Sequence, residues 1–320
     1  MTAGIFGRSV MAGSGSLSVP FSTGPGAILD VATQVAREGR AVPPEITLAA
    51  REAAAEVAEL PPARLRDAFE SIILAPHLGE GLQWMHDSGV LAVVLPELDA
   101  TVDFSQEGGR RHKDVWEHTK LVVKQAPDKP LVRWSALLHD IGKVPTRVML
   151  PDGRVTFHRH AEVGARMFDA IARRLQFDRE GKQRIRFLIY HHLRANAYHC
   201  SWTDSAVRRF DLEMGRHLDE LVELSLADVT SRRPGRRQEA SENVEALVRR
   251  IHEVRALDAK VPPLPAGLGN AFMAAFGIAP GRRVGELRKL CEDAIEQGQL
   301  EERKDPPYYI EFLRARGVTG

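Results

Sequence analysis

Cysteine, long apolar runs and net charge are all scarce in this chain of 320 residues. The two cysteines, Cys200 and Cys291, lie too far apart in sequence to form a metal-type pair, which excludes a disulfide framework and a zinc knuckle. No apolar run approaches the ~20 residues that a membrane span needs. We therefore expect a globular, cytoplasmic protein with no membrane partner.

Aromatic residues are also few, at 6% of the chain. None of them forms a stripe beside a basic run, so the sequence predicts no stacking platform for single-stranded nucleic acid. The net charge of +1 hides a strong asymmetry. Residues 141–194 hold twelve Lys or Arg against five Asp or Glu, whereas residues 1–100 hold six against twelve. The basic middle is also rich in histidine, and this combination predicts an anionic ligand there.

Helical periodicity runs through almost the whole chain and predicts an all-α protein. A turn at Pro151, Asp152 and Gly153 interrupts it and predicts a loop or a small hairpin over 146–157. Prolines near 262–265 indicate a linker before the C-terminal helices. The predicted helices cover 27–38, 45–58, 62–74, 78–88, 113–126, 130–140, 160–175, 180–196, 203–211, 215–231, 237–257, 283–298 and 307–315.

The strongest chemical signal is the segment LLHDIGK at 137–143, at the end of an apolar helix. His139 and Asp140 point about 100° apart on a helix, so both can reach one metal only at the edge or the end of the helix. Imidazole with carboxylate suits divalent ions such as Mn, Fe, Co, Ni or Zn. Gly142 lets the chain leave the helix, and Lys143 places a cation beside whatever the metal binds.

Further histidine and aspartate positions lie on neighbouring predicted helices. Taken singly, each fits a core histidine, a helix cap or an ion-pair partner. An aspartate inside an apolar helix is costly to bury unless it is paired or bound to metal. Together, these positions predict a metal site built from His118, His160, His191, His192 and Asp228.

The order of these motifs resembles that of the HD phosphohydrolase superfamily. HKDVWEHT, LLHDIGK, FHRHAEVGA and LADVTSR are similar to the HD region of bacterial tRNA nucleotidyltransferases (CCA-adding enzymes) and their poly(A) polymerase relatives. Residues 27–98 resemble the helical neck and body of those enzymes, and the segment from Gly267 to Leu300 resembles their tail. The resemblance implies a leader over 1–26, a helical neck and body over 27–100, an HD helical bundle over 101–258 and a helical tail over 259–320.

The resemblance also implies one or two divalent ions of Mn, Fe, Ni, Co, Zn or Mg. The first ion is expected on His118, His139, Asp140 and Asp228. Asp140 then bridges to a second ion, which is completed by His160 and one or both of His191 and His192. The expected substrates are nucleotide or RNA-end phosphoesters such as 2′,3′-cyclic phosphates, attacked by metal-activated hydroxide.

Other residues receive roles around that centre. The residues expected to act in catalysis are Asp140, Lys143 and His112. The residues expected to bind substrate phosphate are Lys143, Arg194 and Arg232, the last from a basic run at 231–237 that also suits RNA phosphates.

Only 26 residues precede the neck, and they contain no Asp or Glu. We therefore expect that the chain lacks the nucleotidyltransferase head, with its carboxylates for magnesium, and does not add CCA. Three alternatives stay open: an RNA- or tRNA-binding module with a structural or vestigial metal site, a cyclic-dinucleotide or deoxynucleotide hydrolase, and a helical protein that oligomerises, as a homodimer for example, through its acidic N-terminal third.

Overall fold

The computed structural model describes residues 24–104, 114–230, 235–259 and 262–318. Within these ranges the chain is predominantly helical, which confirms the all-α prediction. The sheet in the described part is one antiparallel hairpin, β1 (Val148–Met149) with β2 (Val155–Thr156), in which Val148 pairs with Thr156. The chain divides into two compact units, Met1–Ile251 and His252–Gly320. The predicted leader falls almost wholly outside the described residues, and the domain boundaries stay predictions.

The first unit begins with a helical region that precedes the hairpin. Its short helices are separated by proline and glycine turns. They are α1 (Pro25–Glu38), α2 (Pro44–Ala53), a 3₁₀ helix (Ala54–Glu59), α3 (Pro62–Ile73), α4 (Leu78–Asp87), α5 (Val90–Val94) and α6 (Pro96–Asp99).

The rest of the first unit surrounds the predicted metal site. Its helices are α7 (Val115–Gln125), α8 (Pro130–Leu138), α9 (Lys143–Thr146), α10 (His160–Arg174), α11 (Arg179–His191), α12 (Asp204–Met214), a 3₁₀ helix (Gly215–His217) and α13 (Leu218–Ala227). The boundary between the two units falls within α14 (Arg236–Ala259), after Ile251.

Local sequence explains where many of these helices begin. Proline occupies the first turn of α1, α2, α3, α6 and α8, where its missing N–H is not needed. Side chains of Asp114, Asp178 and Thr203 accept hydrogen bonds from the backbone at the starts of α7, α11 and α12. Such N-caps satisfy amide groups that have no partner within the helix.

Helix α8 forms the centre of the bundle that carries the predicted site. Seven of its nine residues are buried, and it contacts α7, α11 and α13. A helix that is buried on most of its surface is stable only when other helices surround it. The buried Arg133 side chain is satisfied by carbonyl oxygens of Ile73, Ala126 and Pro127, so it ties α8 to the end of α3.

The second unit has its own apolar core. Its helices α15 (Leu268–Phe276), α16 (Arg282–Glu296) and α17 (Pro306–Ala315) contact one another. The residues that fill this core include Leu268, Phe272, Phe276, Leu287, Cys291, Tyr309 and Leu313.

Several helix predictions need correction. Helix α15 was not predicted, because it follows a proline-rich segment that indicated a linker, although its buried residues Leu268, Phe272 and Phe276 recur at helical spacing. Helix α11 ends at His191 rather than at 196, because the His192 ring turns back to bond the carbonyl of Ile189. The segment predicted over 215–231 begins as a 3₁₀ turn and becomes α-helical only from Leu218.

Two of the predicted site residues, His112 and Arg232, lie outside the described residues. None of the helices in the described ranges combines the length and apolar character that a bilayer crossing requires.

Candidate metal centre

Five helices of the first unit bring one end each to a common point. His139, His192 and Asp228 occupy the C-cap positions of α8, α11 and α13. His160 is the first residue of α10, and His118 lies in the first turn of α7. Three helix C-termini therefore face the cluster, and the partial negative charge at those ends favours a bound cation.

The six side chains form two groups that share one carboxylate. His118, His139 and Asp228 make up the first group, and Asp140, His160 and His192 make up the second. In the first group, the Nε2 atom of His118 lies 3.0 Å from Asp228 Oδ1 and 3.3 Å from His139 Nε2. In the second group, the Nε2 atoms of His160 and His192 lie 3.3 Å apart.

Asp140 reaches both groups with different oxygens. Its Oδ2 atom lies 3.2 Å from His139 Nε2 and 3.4 Å from His118 Nε2. Its Oδ1 atom lies 3.5 Å from His160 Nε2 and 3.9 Å from His192 Nε2. Ligand atoms that share an ion at about 2.1 Å lie roughly 3–3.5 Å apart, so the spacing of this cluster suits two ions joined by Asp140.

Backbone carbonyls orient three of the imidazole rings. The Nδ1 atoms of His139, His160 and His192 donate to the carbonyl oxygens three residues before them, at 2.7, 2.9 and 2.7 Å. In the neutral ring, this bond leaves the lone pair on Nε2, which faces the cluster. Hydrogen bonds of this kind hold metal-ligating histidines in the required tautomer.

The pKa values of the second group also indicate neutral rings with free Nε2 lone pairs. Burial and the nearby His139 lower the pKa of His192 to about 4, and burial also lowers the pKa of His160. Both rings are therefore neutral at pH 7, and their Nε2 lone pairs face each other at 3.3 Å. A cation between the two nitrogens removes that repulsion, so this donor set fits a divalent metal.

In the first group, His139 carries a proton instead. Burial alone lowers the pKa of a histidine, but Asp140 and Asp228 outweigh it and raise the pKa of His139 to about 10. The same two carboxylates raise the pKa of His118 against its burial. Burial raises the pKa of Asp140 and of Asp228, but the neighbouring histidines outweigh it and lower both. The carboxylates are thus charged, and a metal ion would replace the proton beside them.

Gly142 lets the two groups approach each other. A Cβ atom at this position would lie 2.1 Å from the carbonyl oxygen of His160 and 2.6 Å from the amide nitrogen of Gly164. Only a glycine permits the backbone after Asp140 to pack so closely on the start of α10. This contact places His160 beside the Asp140 carboxylate.

The other predicted site residues differ in their relation to the cluster. Lys143 lies beside it, with its Nζ atom 2.6 Å from Asp140 Oδ2. Arg194 is half-exposed and makes a bidentate ion pair with Glu213 at 2.9 and 2.7 Å. His191 belongs to neither group of the described residues. Its ring lies against Phe187, with centroids 4.3 Å apart, and its buried Nδ1 has no hydrogen-bond partner.

One contact of the site was missed by sequence reasoning. The hydroxyl of Thr230 lies 2.9 Å from the Nδ1 atom of His118 and orients that ring. The signal was present two residues after Asp228, in the segment LADVT.

Comparison with known proteins agrees with this geometry. Residues 111–233 match the HD domain family, and residues 41–101 match the family described as the probable RNA and SrmB-binding site of polymerase A. The chain is 32% identical over 270 residues to the A-adding tRNA nucleotidyltransferase of Deinococcus radiodurans, which covers 80% of this chain and 61% of that protein. The chain carries an HD domain and is homologous to the tRNA nucleotidyltransferases along most of its length.

A second curated relative is also named as a tRNA nucleotidyltransferase. The chain is 33% identical over 257 residues to the CC-adding tRNA nucleotidyltransferase of Thermus thermophilus, over 78% of this chain and 56% of that protein. The crystal structure of the Bacillus stearothermophilus CCA-adding enzyme in complex with CTP aligns with 91% of this chain and 62% of its own, at 15% identity and a TM-score of 0.38. The chain spans 61% and 56% of the lengths of these two curated relatives.

Proposed function

We propose that the HD domain of this protein is a metal-dependent phosphohydrolase for nucleotide or RNA-end phosphoesters, such as 2′,3′-cyclic phosphates. The observation that carries the proposal is the shared carboxylate. Asp140 presents one oxygen to each of two histidine groups, and the Nε2 atoms of His160 and His192 face each other beside it. Such an arrangement is typical of two-metal centres that hydrolyse phosphoesters.

The residues assigned to two divalent ions follow from the two groups. His118, His139, Asp140 and Asp228 would hold the first ion, and Asp140, His160 and His192 would hold the second. We assign the second site to His192 rather than His191. When bound, such ions supply Lewis acidity toward phosphoryl oxygens and lower the pKa of water. The nitrogen-rich donor set suits Mn, Fe, Co, Ni or Zn better than Mg, which prefers oxygen ligands.

Protein groups beside the ions would bind and orient the phosphoester. The ammonium group of Lys143 lies next to the shared carboxylate and would pair with a nonbridging phosphoryl oxygen. Arg194 is already ion-paired with Glu213, so its binding to substrate phosphate stays a prediction. The same holds for His112 as a proton donor to the leaving alcohol and for Arg232 as a phosphate contact.

RNA is the substrate class that the comparisons favour. The match to an RNA-binding region of polymerase A over 41–101 and the tRNA-modifying relatives support tRNA or another RNA as a partner. The proposal concerns the HD site alone, and the prediction that this chain does not add CCA stands beside it as a separate prediction.

The test removes the bridging carboxylate. We expect wild-type protein reconstituted with Mn²⁺ to hydrolyse bis-para-nitrophenyl phosphate and 2′,3′-cyclic nucleotides. Asp140→Asn should lose bound metal and lower kcat by about 10³-fold or more, because both sites lose a ligand. Asp67→Asn, an exposed carboxylate on α3, is the matched control and should keep both. Full metal content and full activity in Asp140→Asn would contradict the proposal.

A second outcome would favour a binding module. If wild-type protein binds metal and shifts tRNA in a salt-dependent way, yet hydrolyses none of these phosphoesters, the centre is structural and the hydrolase proposal fails.

A further inference from the structure

A row of cations and aromatic rings leads away from the metal centre. It starts at Lys143, whose ammonium group contacts Asp140 and lies 5.8 Å from the centroid of the Phe157 ring. The Phe157 ring lies 6.3 Å from that of Phe104, and the guanidinium carbon of Arg147 lies 5.8 Å from the Phe104 ring. We call Lys143, Phe157, Phe104 and Arg147 the cation–aromatic row.

The backbone couples this row to the metal centre. The carbonyl oxygen of Phe157 accepts the hydrogen bond from His160 Nδ1, so the residue that supplies a ring to the row also orients a ligand. Arg159 lies between Phe157 and His160 in the sequence and has a left-handed backbone conformation with φ of 63°. A non-glycine residue in this region costs of order 1 kcal/mol and is found often at functional sites.

The surroundings of the row are basic and partly apolar. Residues 143–159 contain four Lys or Arg and one acidic residue, Asp152, which is paired with Arg154. Val148 and Met149 on β1 are 51% and 58% exposed. Phe104 and Phe157 themselves are only half-buried, so part of each side chain is accessible to a ligand.

We propose that the cation–aromatic row binds the single-stranded 3′ end of an RNA whose terminal phosphoester lies at the metal centre. This inference rests on the proposed function and names its substrate class. Aromatic faces that take bases, flanked by cations that take phosphates, are the usual components of single-strand binding sites. The row extends two rings and one cation beyond Lys143. It therefore has more binding groups than one base and one phosphate can occupy.

The test compares a short RNA with a mononucleotide. The substrates are a hexauridylate that ends in a 2′,3′-cyclic phosphate and 2′,3′-cyclic UMP, each with Mn²⁺-loaded protein. We expect Arg147→Ala and Phe104→Leu each to lower the ratio of kcat/KM for the hexamer to that for the mononucleotide by about ten-fold, because a base or phosphate contact is lost. Arg147→Lys keeps the charge and should lower the ratio less.

Arg173→Ala is the matched control. Arg173 is also exposed, and it lies about 20 Å from His160 along α10, so the ratio should stay within about two-fold of wild type. A ratio unchanged in both Arg147→Ala and Phe104→Leu, or lowered equally by Arg173→Ala, would overturn the proposal. If Phe104→Leu fails to fold, the exposed Arg147 decides the result alone.

A binding measurement separates this inference from the proposed function. If wild-type protein hydrolyses neither substrate, the hydrolase proposal fails, but the row remains testable by fluorescence anisotropy with a fluorescein-labelled hexauridylate in EDTA. Weaker binding by Arg147→Ala than by Arg173→Ala would support the row. Equal affinity for the two variants would refute it.

Discussion

At the scale of single residues, the decisive feature is the direction in which ring nitrogens point. His191 and His192 are adjacent, yet only the Nε2 atom of His192 reaches the cluster, because its Nδ1 bonds the carbonyl of Ile189. His191 lies among Phe187, Tyr190 and His217 instead.

This difference gives a matched pair of substitutions. We expect His192→Ala to lose about one ion per chain relative to wild type, because the second group keeps too few ligands. His191→Ala makes the same change one residue away and should keep the wild-type stoichiometry. Elemental analysis after reconstitution with Mn²⁺ and dialysis measures both. Loss of metal in His191→Ala alone would reverse the assignment.

Proton release is a second prediction at this scale. The pKa of His139 is about 10 in the metal-free protein, so this ring is protonated at pH 7 and must lose its proton to bind a metal. His160 and His192 have lowered pKa values and are already neutral. Metal binding should therefore release about one proton or more, chiefly from the first group, and metal affinity should rise with pH between 6 and 9.

Calorimetry in two buffers of different ionisation enthalpy measures this release. His192→Ala is the informative variant, because it should bind the first ion and still release the proton. Metal binding without proton release at pH 7 would contradict the protonated state of His139.

At the scale of helices, the centre depends on how closely helix ends pack. The chain leaves α8 through Asp140 and Gly142 and passes directly over the first turn of α10, where His160 lies. The missing Cβ of Gly142 makes this approach possible, since the atoms nearest to that position belong to the backbone of His160 and Gly164.

We therefore expect Gly142→Ala to affect both stability and metal binding. The added methyl group has no space, so α10 must shift, which should lower the free energy of unfolding by about 1–3 kcal/mol and weaken the second ion site. Urea denaturation and metal analysis measure the two effects. Gly79→Ala on α4, where nothing lies within 4 Å, is the control and should be close to neutral. Unchanged stability and metal content in Gly142→Ala would show that the contact is not required.

At the scale of the whole molecule, the candidate site belongs to one compact unit. The metal-cluster residues, the cation–aromatic row and α8 all lie in Met1–Ile251, whereas α15, α16 and α17 build a separate core in the unit His252–Gly320. Each unit therefore has its own source of stability.

A core substitution in the second unit should leave the metal centre intact. Phe272 is fully buried, and Phe272→Ala should destabilise that unit by about 3–5 kcal/mol through lost burial and a cavity. Hydrogen exchange should become faster across 262–318, while the Mn²⁺ stoichiometry stays at the wild-type value. Leu290→Ala, at a position 41% exposed, should have little effect on either. Metal loss in Phe272→Ala would show that the second unit supports the site.

The helical class and most helix positions were predictable, because proline starts, caps and apolar periodicity act within a few residues of one another. The helix Leu268–Phe276 escaped prediction because the prolines just before it indicated a linker, although its buried apolar residues do recur at helical spacing. The residue types that suit a metal were equally readable, since His139 and Asp140 end an apolar helix and Asp228 follows another apolar helical segment, at whose C-cap the structure places it.

The sequence by itself determined the helical class and the inventory of imidazole and carboxylate groups, because both depend on local chemistry. Only the tertiary structure decided which groups meet. It selected His192 over its neighbour, gave Asp140 two histidine groups, and brought Phe104 within 6.3 Å of Phe157 although no aromatic stripe is visible in the sequence. The reason is physical: these contacts depend on where helices end and on how closely their backbones pack, and residues distant in sequence set both.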